Sequence, residues 1–523
     1  MGRIWRGNKG QDKNKREQPE SSPSAQYGKR IPESLEEIRN QLKQLFENCS
    51  DAVIRNIEYK GKVRGLLVYM EGMADAESIQ DHALYPLFYE EEANQDPPSD
   101  IRSLSVAQVI AKDNFDEAIE SVMCGGAAIF GEGLGRALIL NVRKGTRRNV
   151  EEPDTEVTIR GPREGFTENL RVNTALLRFK IASPKLKMER IPVGEYTRTN
   201  VVLSYIDGLA DPNVIENVRS RLRSIKIDGI LESNYIEELI EDHPNSPFPT
   251  MQNTERPDTV AGHLLEGKFA ILVDGTPFVL IGPITLWTLL QASEDYYQHH
   301  IFSTLLRWLR YAFLFIALYT PAFYVAITTY HQDMLPTPLL WSVAASREAI
   351  PFPALIEALI MEISFEALRE AGVRLPKIIG QALSILGALV IGQAAVQAGI
   401  VSAPVVIIVS LTGIASFTIP RFNLAIAIRM LRFPLMVAAA LFGLFGIIIG
   451  TMLVLIHLCQ LNSFGFPYLS GVAPLKRKEL KDILVRNPWR RMKTRPVSVT
   501  DPRQRRRQSA AKMPSSPEPG RLS

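Results

Sequence analysis

The sequence predicts an α+β cytosolic N-terminal domain, built of two related α/β subdomains, followed by a polytopic α-helical membrane domain. Three observations predict it. Charged residues are dense as far as Asp295 and then vanish from three long windows: Arg310 to Asp333, Lys377 to Arg421 and Arg432 to Lys476. About 20 apolar residues span a bilayer core, and a soluble domain has no use for so many. An internal echo relates two stretches of the first half. No apolar run follows the polar, basic N-terminus, so no cleavable signal is expected and the first half should stay in the cytosol. Averages over all 523 residues (46% apolar, net charge +4) conceal this division.

Taken in order, residues 1–30 are rich in Lys, Arg, Gln, Ser and Gly and are expected to be disordered. Residues 31–50 read as a helix, with Pro32 and Ser34 at its start and Leu35, Ile38, Leu42 and Leu45 as its apolar stripe. Strand arms follow on either side of Lys60-Gly61-Lys62, the second from Gly65 to Met70. The echo pairs VYMEGMADAESI (68–79) with SYIDGLADPNVI (204–215), matching at Tyr, Gly, Ala, Asp and Ile. A second pair, GAAIFGEGLGRALIL (126–140) and FAILVDGTPFVLI (269–281), reads twice as a hairpin turning on Gly. Two subdomains, 31–150 and 151–283, are therefore expected. The membrane domain (284–475) opens with an interfacial stretch in which Trp287, Tyr296, Tyr297 and Trp308 suit the headgroup level. Of four to six membrane helices, the clearest spans are 311–331, 379–398, 402–420 and 433–457. The apolar segment 350–366 contains Glu357 and Glu362 and reads as a short, re-entrant or pore-facing helix. The tail, 476–523, carries 13 Lys/Arg against 3 Asp/Glu between Lys476 and Arg507, so it belongs in the cytosol. With both termini inside, crossings are even in number. Four would leave Arg421, Arg429 and Arg432 outside, unless they pack within the protein or along an interfacial helix.

No short motif points to catalysis, and the chain reads as a non-enzyme without cofactor or metal. GHLLEGK (262–268) lacks the hydroxyl and the following helix of a phosphate loop. Gly131, Gly133 and Gly135 join strands. His263, His299 and His300 have no ligand spacing, and Cys49, Cys124 and Cys459 form no pair. Glu362, Glu366 and Glu370 share one helix face with Arg369 nearby. In a symmetric oligomer they would form cation-selecting rings; a salt-bridge cluster with Arg369 and Arg374 is the alternative. Gly380, Ser384, Ala388 and Gly392 recur every four residues and predict close helix packing. Gln381, Gln393 and Gln397 either bond across helices or line a wet path.

Several segments resemble the GerA family of spore germination proteins: RGPREGFTENLRVNTALLR (160–178), KIDGILESNYIEELIED (226–242), VDGTPFVLIGP (273–283), SEDYY (293–297), ISFEALREAGVRLPKIIGQALSILGALVIGQAAVQAGIVSAP (363–404), IPRFNLAIAIRMLRFPL (419–435) and KDILVRNPWRRMKTRP (481–496). The residues carrying the motifs include Gly161, Arg163, Glu164, Asp274, Gly275, Pro277, Glu294, Asp295, Arg369, Gly372 and Pro420. The chain departs at 292–293, where Ala-Ser stands in place of the family's Ser-Pro. The resemblance implies the A subunit of a germinant receptor, a multi-pass inner-membrane protein of the endospore and a homo-oligomeric nutrient-gated channel for monovalent cations. It also implies partners: membrane lipid, a transporter-like B subunit and a lipoprotein C subunit, with no nucleic acid. Under the same resemblance, the alternatives are a nutrient-sensing subunit or a paralogous accessory protein for small-solute release. The GPREGF and DGTPF turns are expected as structural elements between subdomains or facing the membrane, not as ligand sites.

Overall fold

The computed structural model describes residues 30–59, 62–85, 109–143, 152–153, 155–374, 392–476, 480–492 and 495. Expectations for the basic N-terminus, the turn at Lys60-Gly61, Gly380, Gln381, Ser384, Ala388, most of span 379–398 and much of the tail lie outside these residues. The described chain forms two compact units, one from residues 30–45 and 52–143, the other from 46–51 and everything from 152 onward.

In the first unit, α1 (Leu35–Leu45) buries Leu35, Ile38 and Leu42. A hairpin of β1 (Ala52–Tyr59) and β2 (Lys62–Met70) leads to α2 (Ala76–Ile79), β3 (Val109–Lys112), α3 (Phe115–Met123), β4 (Ala127–Gly131) and β5 (Ala137–Leu140). The sheet is antiparallel throughout, in the order β1-β2-β4-β5-β3.

The second unit repeats the plan with α4 (Leu170–Lys180), β6 (Leu186–Val193), β7 (Thr199–Ile206), α5 (Pro212–Ser224), α6 (Ser233–Ile240), β8 (Gln252–Thr254), α7 (Pro257–Leu264), β9 (Phe269–Val273) and β10 (Val279–Gly282). Its strand order, β6-β7-β9-β10-β8, is that of the first sheet position for position. The echo now has a physical cause. Gly72 and Gly208 both take positive φ, 81° and 75°, where the strand turns off. Asp75 and Asp211 stand at the N-cap positions of the helices that follow, Asp211 accepting from Asn213 N and Asp75 from Ser78 Oγ, and Ile79 and Ile215 are their buried anchors. Alternate residues of β7 and β9 enter separate cores on the two faces of the sheet. Val201, Leu203, Phe269 and Ile271 pack with α5 and α6, while Val202, Ala270 and Leu272 pack with α4 and α7. A strand covered on both faces reads as a continuous apolar run.

Beyond the sheet come α8 (Leu286–Leu289), a 3₁₀ turn (Ser293–Tyr296), α9 (His300–Thr329), α10 (Thr337–Arg347), α11 (Ala354–Arg374), a helical segment at 392–397, α12 (Ala403–Phe417) and α13 (Phe422–Gln460). Among the described residues two helices, α9 and α13, are long and apolar enough to cross a membrane, and α12 is a shorter apolar helix. The expected short helix at 350–366 is instead continuous for 21 residues. No Pro or Gly interrupts it between Pro353 and Gly372, and its carboxylates find cationic partners.

The single span expected at 433–457 is interrupted. Gly443 has φ 62° and ψ −142° inside α13, a non-helical break. A Cβ placed on Gly450 would lie 2.5 Å from the side chain of Leu435. In a straight helix those two residues would be about 22 Å apart. So α13 is a hairpin of two antiparallel arms, tipped at Gly443. The tip meets the end of α9: Tyr330 Oη donates to Leu441 O (3.2 Å), and Leu444 N donates to His331 Nε2 (3.3 Å). The opposite ends of both arms return to the sheet. Arg421 pairs with Glu156, and His457 Nε2 lies 2.9 Å from Ser246 Oγ. Beyond the second arm, β11 (Asn462–Ser463) and β12 (Phe466–Pro467) place Phe464 edge-on to Phe269, with ring centroids 5.0 Å apart, inside the sheet's core.

Candidate functional site

Three arginines that would be costly outside a membrane are buried in the protein. Arg421, Arg429 and Arg432 are 7%, 8% and 3% exposed. Glu362 is 3% exposed; Arg432 Nη1 donates to one of its oxygens and Thr412 Oγ1 to the other at 3.3 Å. Arg432 Nε also donates to the carbonyl of Ala317 (2.9 Å), tying α13 to α9. One turn along α11, Glu366 receives Arg429 Nη1 (2.8 Å) and Arg369. Glu370 is exposed and pairs with Arg374 at 2.6 Å. The predicted carboxylates thus lie on one helix, each engaged by an arginine within this protomer. Burial of an ion is tolerated only with partners of this kind. Gln393 and Gln397 are exposed, and Gly392 packs on Val406 of α12.

Of the family-motif residues, Gly161, Glu294 and Asp295 meet just before and at the foot of α9. Asp295 is 1% exposed and lies 2.8 Å from Arg310 and 3.4 Å from Arg307. Glu294 Oε1 accepts from Ile159 N (2.6 Å), and Tyr297 Oη donates to Asp258 (2.5 Å). Gly161 takes φ 147° and a side chain there would strike the Tyr297 ring. Glu164 pairs with Lys180 at 2.9 Å, while Arg163 is exposed, 3.9 Å from Glu152. In the DGTPF turn, Asp274 accepts from Leu170 N (3.3 Å), Gly275 has φ 91° and Pro277 is half-buried. Gly372 lies near the end of α11, and Pro420 leads into Arg421. No group of three or more His, Cys, Asp or Glu suited to a metal occurs among the described residues. Burial, with the nearby charge of Lys268 second, pushes the His263 imidazole well below its ordinary range.

Sequence reasoning missed four features. Glu357, fully buried, accepts from Arg347 Nε (3.1 Å) and from Ser402 N (3.0 Å) at the head of α12. The partners of Glu362 and Glu366, 70 and 63 residues away, also escaped notice; the one available signal was their placement on an apolar stretch. The Gly443 reversal was missed because both arms are equally apolar. The fourth is a strap, residues 482–489, lying along the start of α9. Tyr311 Oη donates to Ile483 O (2.6 Å), Trp308 Nε1 to Leu484 O (2.7 Å) and Tyr296 Oη to Asp482 (2.9 Å). Arg486 is held between the Tyr296 and Trp489 rings.

Comparison with known proteins supplies context for this geometry. The profile of the Bacillus/Clostridium GerA spore germination protein family matches residues 40–498. The uncharacterized membrane protein YfkQ of Bacillus subtilis (strain 168) is 60% identical over 468 residues, 89% of this chain and 91% of that protein. Spore germination protein KA of the same organism is 47% identical over 475 residues, 90% of this chain and 87% of that protein. Among solved structures, the N-terminal domain of the A subunit of the Bacillus megaterium spore germinant receptor GerK3 matches 49% of this chain and 96% of its own at 36% identity, with a TM-score of 0.39.

Proposed function

We propose, on the premise that this chain belongs to the Bacillus/Clostridium GerA spore germination protein family, that it is the A-type subunit of a germinant receptor and forms, with further copies of itself, a gated path for monovalent cations. The observation that carries this is the row of carboxylates on α11, Glu362 buried among apolar helices, Glu366 half-exposed and Glu370 exposed, each held by an arginine. Ion-paired carboxylates in such a setting are expensive to keep and suit a pathway or gate better than a packing role. A transporter-like B subunit and a lipoprotein C subunit are the expected partners, by family.

The helix directions support six crossings. The α9 helix leaves the sheet side and ends at the hairpin tip. The α11 helix returns, because Glu362 faces Arg432 and Glu366 faces Arg429, antiparallel to the first arm of α13. The α12 helix also returns, starting where Ser402 lies 3.3 Å from Tyr324. The span expected from the sequence at 379–398, most of it outside the described residues, would complete six. With the two arms of α13 the count is even, and both ends of the membrane part lie on the sheet side.

Potassium release from liposomes carrying the purified chain tests the reading, first alone and then with its partner subunits and nutrient. Wild type should leak, and Glu362→Gln and Glu366→Gln should change the rate or the cation selectivity. No flux even with partners and nutrient sinks the channel. An accessory role in small-solute release is the second reading. Normal nutrient germination of spores lacking this chain, combined with slower release of small solutes, would select that role.

A further inference from the structure

We infer that the helix bundle holds a small oxyanion, a carboxylate or a phosphate, against Arg432, Arg429 and Arg369. Charge balance carries the argument. Around Glu362 and Glu366 three guanidinium groups meet two carboxylates: Arg432 on Glu362, and Arg429 with Arg369 on Glu366. The neighbouring pairs are already matched one to one, Arg347 with Glu357 and Arg374 with Glu370. One positive charge is therefore left over, beside the buried Arg432 and Arg429 and the half-exposed Glu366. No Asp or Glu occurs in the sequence from 375 to 420 to offset it. An uncompensated charge buried in protein is costly by several kcal/mol.

A second observation points the same way. Arg432 is 3% exposed and its Nη1 and Nε are used, but Nη2 is buried with no hydrogen-bond partner among the described residues. A guanidinium presents a planar fork suited to carboxylate and phosphate oxygens. An oxyanion here takes that free donor and cancels the surplus charge at once. Free anions and the phosphate of a lipid headgroup share this chemistry. Cations moving past Glu366 would be repelled by the bare cluster, so occupancy of the site is a condition on the proposed path.

The test measures binding, with no flux required. The full chain is purified in a maltoside detergent, and its thermal unfolding is followed as inorganic phosphate is added at constant ionic strength. Parallel samples in phosphatidylglycerol and phosphatidylcholine nanodiscs address the lipid source. Wild type should be stabilised in a saturable way by phosphate. Glu362→Gln removes the competing carboxylate and should lower the half-saturating phosphate several-fold, the reverse of what lost packing would do. Arg432→Gln should abolish the shift. Since that variant leaves Glu362 buried alone and risks misfolding, the double variant Glu362→Gln/Arg432→Gln is measured beside it and should also show none. Stabilisation by phosphatidylglycerol alone, with the same variant pattern, supports the site and assigns it to lipid. A folded wild type that responds to neither source, or a shift that survives in the double variant, overturns the inference. A chain that binds phosphate and conducts nothing sinks the ion path and keeps the site.

Discussion

Asp51 and Arg178 show what a single buried contact is worth in this fold. Arg178 has no exposed surface, and it grips Asp51 through Nε (2.6 Å) and Nη2 (3.0 Å) while Nη1 reaches the carbonyl of Ser183. Breaking such a pair by removing one member leaves a charge buried and costs about 3–5 kcal/mol. Asp51→Ala should therefore lower the unfolding midpoint well below that of any surface substitution, as calorimetry of the full chain would show. Glu237 makes the opposite case. Burial first, and then the nearby Glu241 and Glu232, push its carboxyl up to about 7 from an ordinary 4.5. A raised carboxyl pKa means that the folded state holds the proton more tightly. Its stabilising contribution is complete below about pH 4.5 and is lost as pH climbs through 7, amounting to about 3 kcal/mol. Glu237→Gln should flatten the fall in stability between pH 5 and 8. An unchanged slope in thermal melts would show that the carboxyl titrates normally.

At the scale of elements, legibility follows from how local the cause is. The two sheets were readable because a turn glycine, a capping aspartate and a buried isoleucine sit within a dozen residues of one another and recur as a set. Helix α1 was readable from its stripe. The ion pairs were not, since Glu362 and Arg432 are far apart in sequence and only the packed helices bring them together. The reversal in α13 was hidden for another reason. Apolar periodicity reports how a segment is solvated, and both arms face the same apolar surroundings. Gly443 occupies a region of backbone space that other residues enter only under strain, and a Cβ there would come within 2.8 Å of His331 Nε2. Gly443→Ala should reduce the yield of folded protein sharply. The hairpin itself is testable with cysteines at Leu435 and Gly450 in a background free of the native ones. The pair should cross-link within one chain, and failure to do so under oxidising conditions would favour a straight helix.

For the molecule as a whole, the deciding issue is how a chain with so many arginines among apolar helices satisfies the distribution of charge across a membrane. Lys and Arg collect on the cytosolic side because moving them across is costly. Four crossings would place Arg421, Arg429 and Arg432 on the wrong side. The proposed topology would remove the conflict: Arg421 meets Glu156 beside the sheet, and Arg429 and Arg432 pair with Glu366 and Glu362. The strap then closes the same side, since Arg486 and Asp482 both contact the foot of α9. Two sites therefore differ in accessibility. Trp341 in α10 is 71% exposed at the hairpin-tip end, and Tyr196 is 79% exposed on the sheet domain. Single cysteines at these positions, in the cysteine-free background, should respond oppositely to a membrane-impermeant maleimide applied to intact cells. The cysteine at 341 should be labelled at once, and the one at 196 only after lysis. Labelling of both before lysis, or of neither, would mean that α9, the one long apolar helix between the two positions, does not cross the membrane.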